Sequence, residues 1–324
     1  MKHMKFLSFF LGIAFAIIAC SSNNETIPAP EVDPDGDDGT TEVEFAKGAD
    51  IGWVTEYESK GYNFYNAKGE QRECTALMKE LGLDAIRIRV WVDPSKHGNW
   101  CNTADVVEKA KRAKELGMDV MIDFHYSDWW ADPAQQNKPA SWVGKNLANL
   151  KSAIKDHTVS VLQALKEIGV IPKWVQVGNE IRPGMLWDED VALSGASYNV
   201  TEKDLKDAPA SATDKVVYPM NWANLGAFVT TGYDAVKSVF PDAIVIVHLD
   251  NGWDSGLFTW FFDELKKNGG KWDMIGMSLY PYWSRDAKEG YSSADAVITD
   301  CISNIKALST KYNCDVMVVE TGME

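Results

Sequence analysis

Seven short apolar runs, separated by longer amphipathic ones, constrain the fold of this chain more than any other feature. The runs are "ADIGWV" (49–54), "DAIRIRVWV" (84–92), "DVMIDFHY" (119–126), "WVQVGNE" (174–180), "AIVIVHLD" (243–250), "DMIGMSLYPY" (273–282) and "DVMVVETG" (315–322). Between most of them lie helical patterns such as "ECTALMKELG" (73–82), "ADVVEKAKRAKELG" (104–117) and "LGAFVTTGYDAVKSVF" (225–240), the first two ending on a glycine suited to a C-cap. Alternating strand and helix units imply a parallel sheet, either doubly wound or closed as a barrel. A doubly wound sheet expects a Gly-rich phosphate loop after its first strand, and none follows here. The expected class is therefore α/β, a (β/α)8 barrel. Seven strands are visible and the sequence stops four residues after Glu320. An eighth strand is thus expected to be missing from it, which would leave two edge strands unpaired.

Residues two apart on a strand share a face, which tests the barrel. Ile86, Ile88 and Val90 oppose Arg87, Arg89 and Trp91; Val120, Ile122 and Phe124 oppose Met121, Asp123 and His125; Val175 and Val177 oppose Gln176, Gly178 and Glu180. His248 and Asp250 end the fifth run on one face, Gly276, Ser278 and Tyr280 share a face of the sixth, and Val318 and Glu320 share one of the seventh. Polar residues of the inward face thus collect toward the carboxyl ends, where barrel enzymes keep their chemistry. Arg89, His125, Glu180, His248, Tyr280 and Glu320 are expected to ring the barrel mouth. Burying so many polar groups at one depth is costly without a use for them.

The formal charge of −15 excludes a nucleic-acid binder and an anionic-membrane binder, both of which need a basic face. Much acid is local: Glu25, Glu31, Asp33, Asp35, Asp37, Asp38, Glu42 and Glu44 share a stretch without Lys or Arg, so residues 21–45 read as a solvated linker. Before it, residues 1–20 carry Lys2 and Lys5, an apolar run from Phe6 to Ala19, and "IIAC". This layout reads as a secretory leader, too short to span a membrane comfortably. The "IIAC" ending resembles a bacterial lipoprotein processing site with Cys20 as the lipidated amino terminus; an ordinary signal peptide cut nearby is the alternative. The expectation is a cell-envelope lipoprotein, touching membrane only through that anchor. Cys74, Cys101, Cys301 and Cys314 remain, an even number in an oxidising compartment. Neighbour pairing, Cys74 with Cys101 and Cys301 with Cys314, closes the shortest loops, and free buried thiols are the alternative. No CxxC spacing or His cluster suggests zinc, and no metal is expected.

Glu180 and Glu320 end the fourth and seventh runs, facing one another across the mouth. Opposed carboxylates suit glycoside hydrolysis, where one protonates the leaving oxygen and the other attacks or stabilises the anomeric carbon. "KGADIGWVTEYESKG", "IRIRVWVDP", "DFHYSDWWADPAQQNKPASW", "VQVGNEI", "HLDNGWD", "LYPYW" and "VVETG" together make residues 46–324 resemble the glycoside hydrolase family 53 endo-β-1,4-galactanases. The resemblance implies a retaining (β/α)8 glycosidase domain over 46–324, incomplete at its end. It implies Glu180 as acid/base, Glu320 as nucleophile and Asn179 as partner of the sugar 2-hydroxyl. Arg89 and Tyr280 would orient Glu320, His125 and His248 would line the cleft, and Asp128 and Asn251 would contact substrate. Trp129, Trp130 and Trp142 lie in the long loop after His125, and one or two of Trp91, Trp129, Trp253 and Trp283 are expected to stack on sugar. No cofactor is implied as required; a structural calcium would belong to C-terminal loops beyond this sequence. A monomer acting on galactan is expected. A related barrel hydrolase for another β-linked glycan, or a noncatalytic glycan-binding lipoprotein, are the alternatives.

Overall fold

The computed structural model describes residues 45–187, 222–287 and 291–322. The expected leader, Cys20 and nearly all of the acidic linker lie outside them. Seven strands form one parallel sheet in sequence order: β1 (Gly48–Asp50), β2 (Ala85–Val90), β3 (Asp119–Phe124), β4 (Trp174–Val177), β5 (Ile244–Leu249), β6 (Met274–Leu279) and β7 (Asp315–Thr321). The sheet curls into a nearly closed (β/α)8-type barrel. Among the described residues no eighth strand pairs with β1 or β7. Among the described residues the α-helices are α1 (Val54–Ser59), α2 (Cys74–Glu80), α3 (Thr103–Glu115), α4 (Leu147–Glu167), α5 (Trp222–Val239), α6 (Ser255–Lys267), α7 (Pro281–Ala287) and α8 (Ala294–Tyr312).

Local chemistry sets these boundaries. The Glu73 carboxylate accepts from Ala76 N at 2.8 Å to cap α2, and Asn102 caps α3 through Asp105 N at 3.0 Å. Gly82 and Gly117 then take φ of 87° and 63°, a left-handed conformation that lets the chain leave each helix toward the next strand.

The alternation read from the sequence holds through β2 to β6. Ile86, Ile88, Val120, Ile122, Val175 and Val247 face the helices in the main core. Fully burying a side chain such as Ile88, 0% exposed, contributes about 1.5–3 kcal/mol. Inside the barrel, Ala85, Met121, Trp174, Ile246 and Met274 form an apolar floor. One step along each strand toward the carboxyl end stand Arg87, Asp123, Gln176 and His248, all buried. The polar layer stands directly above this floor.

Three strands depart from the simple reading. β1 stops at Asp50, because the chain turns at once into α1. β4 stops at Val177, and Gly178 and Glu180 take φ of 84° and 47°, so Glu180 is presented by a left-handed turn and not by strand alternation. In β7, Met317 and Val319 pack on the interior floor while Val316 and Val318 pack on the helix side. A register shift against β6 at Met277/Ser278 then sets Glu320 opposite Ser278. This irregularity returns Glu320 to the interior although it follows an inward Val319.

Neither expected disulfide forms. All four cysteines are free thiols, with Cys74, Cys101 and Cys301 buried. Their neighbours explain why: Cys101 Sγ donates to Gly52 O at 3.3 Å, and Cys301 Sγ lies 3.6 Å from Met277 Sδ. Cys74 packs in the main core at the start of α2.

Candidate active site

The site grows from the polar layer at the carboxyl ends of the strands. Arg87 of β2 is its hub. Its Nη1 lies 2.9 Å from Asp50 Oδ2 and 3.3 Å from Glu320 Oε2, and its Nη2 lies 2.9 Å from Asp123 Oδ2. Nη2 also donates to Asn179 Oδ1 at 2.8 Å. Burial works against the charge of Arg87, but the carboxylates of Asp123, Asp50 and Glu320 outweigh it and hold the guanidinium protonated. Asp50 is likewise kept below its ordinary value: burial would raise it, and Arg87, Arg89 and the Gly52 N–H together lower it.

The resemblance implies that Arg89 orients Glu320. The structure gives that contact to Arg87, one inward position deeper on the same face. Arg89 instead meets Asp50 Oδ1 at 3.2 Å and lies 4.1 Å from the centroid of the Trp130 ring. Tyr280 stands as expected, its hydroxyl donating to Glu320 Oε1 at 2.6 Å.

Glu180 has different surroundings. Ser278 of β6 donates to its Oε1 at 2.6 Å, and Arg182 grips Asp250 through two bonds of 2.8 and 2.9 Å, tying this loop to the end of β5. Gln136 fixes the same turn from the β3 side, donating to Asn179 O at 2.7 Å. A left-handed φ at a glutamate is costly and persists where neighbours over-determine it, as here. Burial pushes the Glu180 carboxyl well above its usual range, and the charges of Asp250 and Glu320 add to the rise, while the Ser278 hydroxyl opposes it.

Two cavities meet at this pair. One of about 450 Å³ is lined by Glu180, Asn251, Ser278 and Trp283; the other, of about 690 Å³, runs from Asp50, Trp53, Arg89, Trp130 and Glu320 down past β1 and β7 to Ala85, Met121 and Trp174 of the floor, and Tyr280 lines both. Glu180, His248 and Glu320 each bring one polar atom within 4.8 Å of the others. Both ring nitrogens of His248 already face hydrogen-bonding partners, so this cluster reads as a linked acid pair and not as a cradle for an ion.

Several expected contact residues have other duties. His125 and His248 are 2% and 0% exposed and brace the polar layer from within instead of lining the cleft. His125 accepts from Ala131 N at Nδ1 and meets Asp123 Oδ2 at Nε2, 2.9 Å each. Asp128 is occupied at both oxygens by Asp93 N and Ala140 N, clamping the β3 loop. Trp91 and Trp253 are buried at 2% and 7%, and Trp129 stacks on His97 with centroids 3.7 Å apart. The rings left open are Trp130 at 39% and Trp283 at 59% exposed, one in each cavity. Trp142 is core. Asp50, Asp123, Gln176 and Ser278 escaped the sequence reading of the site; three of them lay on its inward faces, and only their spacing to the glutamates was unseen.

The model of glycosyl hydrolase family 53 matches residues 46–324. The chain belongs to that family. An arabinogalactan endo-beta-1,4-galactanase of Thermothelomyces thermophilus is 32% identical over 282 residues, covering 85% of this chain and 73% of its own. Among solved structures, one from a study of two fungal beta-1,4-galactanases is 31% identical with a TM-score of 0.68, over 85% of this chain and 73% of that one. The family 53 catalytic domain of Ignisphaera aggregans is 30% identical with the same TM-score, over 87% and 69%. As a glycoside hydrolase of this family, the chain places its two glutamates at the strand ends where its fold keeps catalytic groups.

Proposed function

We propose that this protein is a retaining endo-hydrolase of β-1,4-galactosidic bonds in galactan, including the arabinogalactan side chains of pectin. The observation that carries the reading is the pair Glu180 and Glu320, whose nearest polar atoms lie within 4.8 Å. Retaining enzymes hold their carboxyl groups about 5–5.5 Å apart, while inverting enzymes leave about 6.5–9.5 Å for a water. The substrate follows from the galactanases it resembles over most of its length.

The environments divide the two roles. Glu320 faces the Arg87 cation and the Tyr280 hydroxyl, which favour its carboxylate as nucleophile. Glu180, pushed up by burial and by Asp250 and Glu320, enters the reaction protonated and donates to the leaving oxygen. When Glu320 becomes the glycosyl ester its charge disappears, the Glu180 pKa falls, and Glu180 can take a proton from water. The Asn179 amide gives Ala131 O one hydrogen at 2.8 Å, and its second suits the sugar 2-hydroxyl. Trp130 and Trp283 offer stacking faces on the two sides of the scissile bond.

A reducing-sugar assay on galactan, xylan and mannan tests the substrate; activity confined to xylan or mannan, or none at all, overturns it. Glu180→Ala should lose galactan hydrolysis yet keep activity on an aryl galactobioside whose leaving group needs no proton. With that substrate the alkaline fall of kcat/KM, which tracks deprotonation of the raised acid, should weaken while the acid-side fall stays. Equal loss on both substrates contradicts the role of Glu180.

We also propose that Cys20 carries a lipid anchor, on the evidence of "IIAC" followed by an acidic linker. Cys20→Ser should move the protein from the membrane fraction to the soluble one. Continued fractionation with membranes counts against the anchor.

A further inference from the structure

We propose that Ser278 and His248 act as a coupled pair of positioning residues for Glu180, with His248 held as the Nε2–H tautomer so that Ser278 donates to Oε1 and the transferable proton rides on Oε2. The inference rests on Glu180 being the acid/base. It starts from an unbroken chain of hydrogen bonds: Glu180 Oε1 to Ser278 Oγ at 2.6 Å, Ser278 Oγ to His248 Nε2 at 2.8 Å. Ser278 is 2% exposed and His248 0%, so the Ser278–His248 bond is shielded, while Glu180 opens onto the cavity.

Counting donors and lone pairs fixes the direction. In the base form of Glu180 the ionised carboxylate can only accept, a serine hydroxyl has one hydrogen, and 2.6 Å is the length of a charge-assisted O–H···O bond. Once that hydrogen points at Glu180, the 2.8 Å contact to the imidazole is satisfied only if Nε2–H donates to Oγ. The other ring nitrogen agrees. His248 Nδ1 faces the main-chain Glu180 N–H at 3.4 Å, a group that can only donate. Its acceptor neighbour, Asn179 Oδ1 at 3.0 Å, already receives Arg87 Nη2 at 2.8 Å, and the two hydrogens of Gln176 Nε2 go to Asp123 Oδ1 at 2.5 Å and Gly178 O at 3.0 Å.

The imidazole must also stay neutral. Burial and the neighbouring Arg87 and His125 charges depress His248 well below its ordinary value, so it keeps one proton through the working range. The groups facing Glu180 itself are Asp250 from the end of β5, Glu320 of β7, Asp132 from the loop after β3, and Tyr280 after β6. None of them donates to Oε1 in place of Ser278. With Oε1 committed as an acceptor in both protonation states, the acid proton is carried by the oxygen left for the glycosidic bond, and no side-chain movement separates the acid and base halves of the reaction.

Nitrogen NMR of the full-length protein, uniformly labelled at histidine, tests the tautomer directly. The chain has five histidines, and loss of one signal set in His248→Gln assigns it. The expected spectrum has a protonated Nε2 and a bare Nδ1; the reverse pattern, or a doubly protonated ring at neutral pH, overturns the proposal. Kinetics supply the second arm. Ser278→Ala should move the alkaline limb of kcat/KM on galactan upward by about one to two pH units, the worth of a hydrogen bond to a charged group. His248→Leu should move it the same way, the double variant no further than Ser278→Ala alone, and His248→Gln, which keeps an N–H donor, much less than His248→Leu. Additive shifts, or an unmoved limb in Ser278→Ala, contradict the coupling. Wild-type inactivity on galactan would count against the proposed substrate while leaving the tautomer result standing.

Discussion

Glu320→Ala is expected to lower turnover of β-1,4-galactan by about 10⁴-fold or more, the scale on which deletion of a covalent nucleophile is felt. The carboxylate is held from both sides, by the Tyr280 hydroxyl at Oε1 and by Arg87 at Oε2, so its oxygens are aimed before substrate arrives. Removing it leaves Glu180 able to protonate the leaving oxygen but nothing to attack the anomeric carbon. Sodium azide should then occupy the space, form the C1–N bond as the C1–O bond breaks, and yield the inverted glycosyl azide. Rescue with retained configuration, or a loss smaller than tenfold, contradicts the assignment of Glu320.

Arg87→Met should be the most destabilising single change in the barrel mouth. Arg87 is 7% exposed and its cation touches Asp50, Asp123 and Glu320, with Asp123 fully buried. Removing one partner from a buried ionic cluster costs about 3–5 kcal/mol, because the remaining charges stay desolvated and now repel. The pH dependence should change sign. In the native protein the depressed Asp50 carboxyl contributes stability above its unfolded pKa, lost as pH falls through the lower folded value. In the variant the clustered carboxyls take folded values above their unfolded ones. They then favour the native state at acid pH and oppose it as pH rises. Urea unfolding at pH 5 and pH 8 should show a larger deficit, relative to wild type, at pH 8. A deficit that is equal or smaller there would mean that Arg87 does not neutralise these carboxylates.

Where regular alternation governs, the sequence was sufficient. The apolar and polar faces of β2 through β6 follow the period of two, and the opposed glutamates followed from strand order. What escaped is what a linear pattern does not encode. The register shift beside Ser278 reverses the expected face for Val318, and the left-handed turn at Glu180 lies beyond the end of its strand. Arg87 and Arg89 share a face two residues apart, so periodicity could not say which reaches across to β7. The four cysteines were even in number, which suggested pairing, yet their thiols sit in separate packing environments. Of the four tryptophans among which one or two are expected to stack on sugar, Trp91 and Trp253 are buried and Trp283 is open, a division that residue type does not report.

The central claim is that Glu180 and Glu320 cleave β-1,4-galactan with retention, through a glycosyl ester on Glu320. Proton NMR of a fresh digest, recorded before mutarotation equilibrates the new reducing ends, tests it most directly. The account predicts that the β-anomer appears first and the α-anomer only later, at the rate of spontaneous mutarotation; initial accumulation of the α-anomer would show inversion and contradict it.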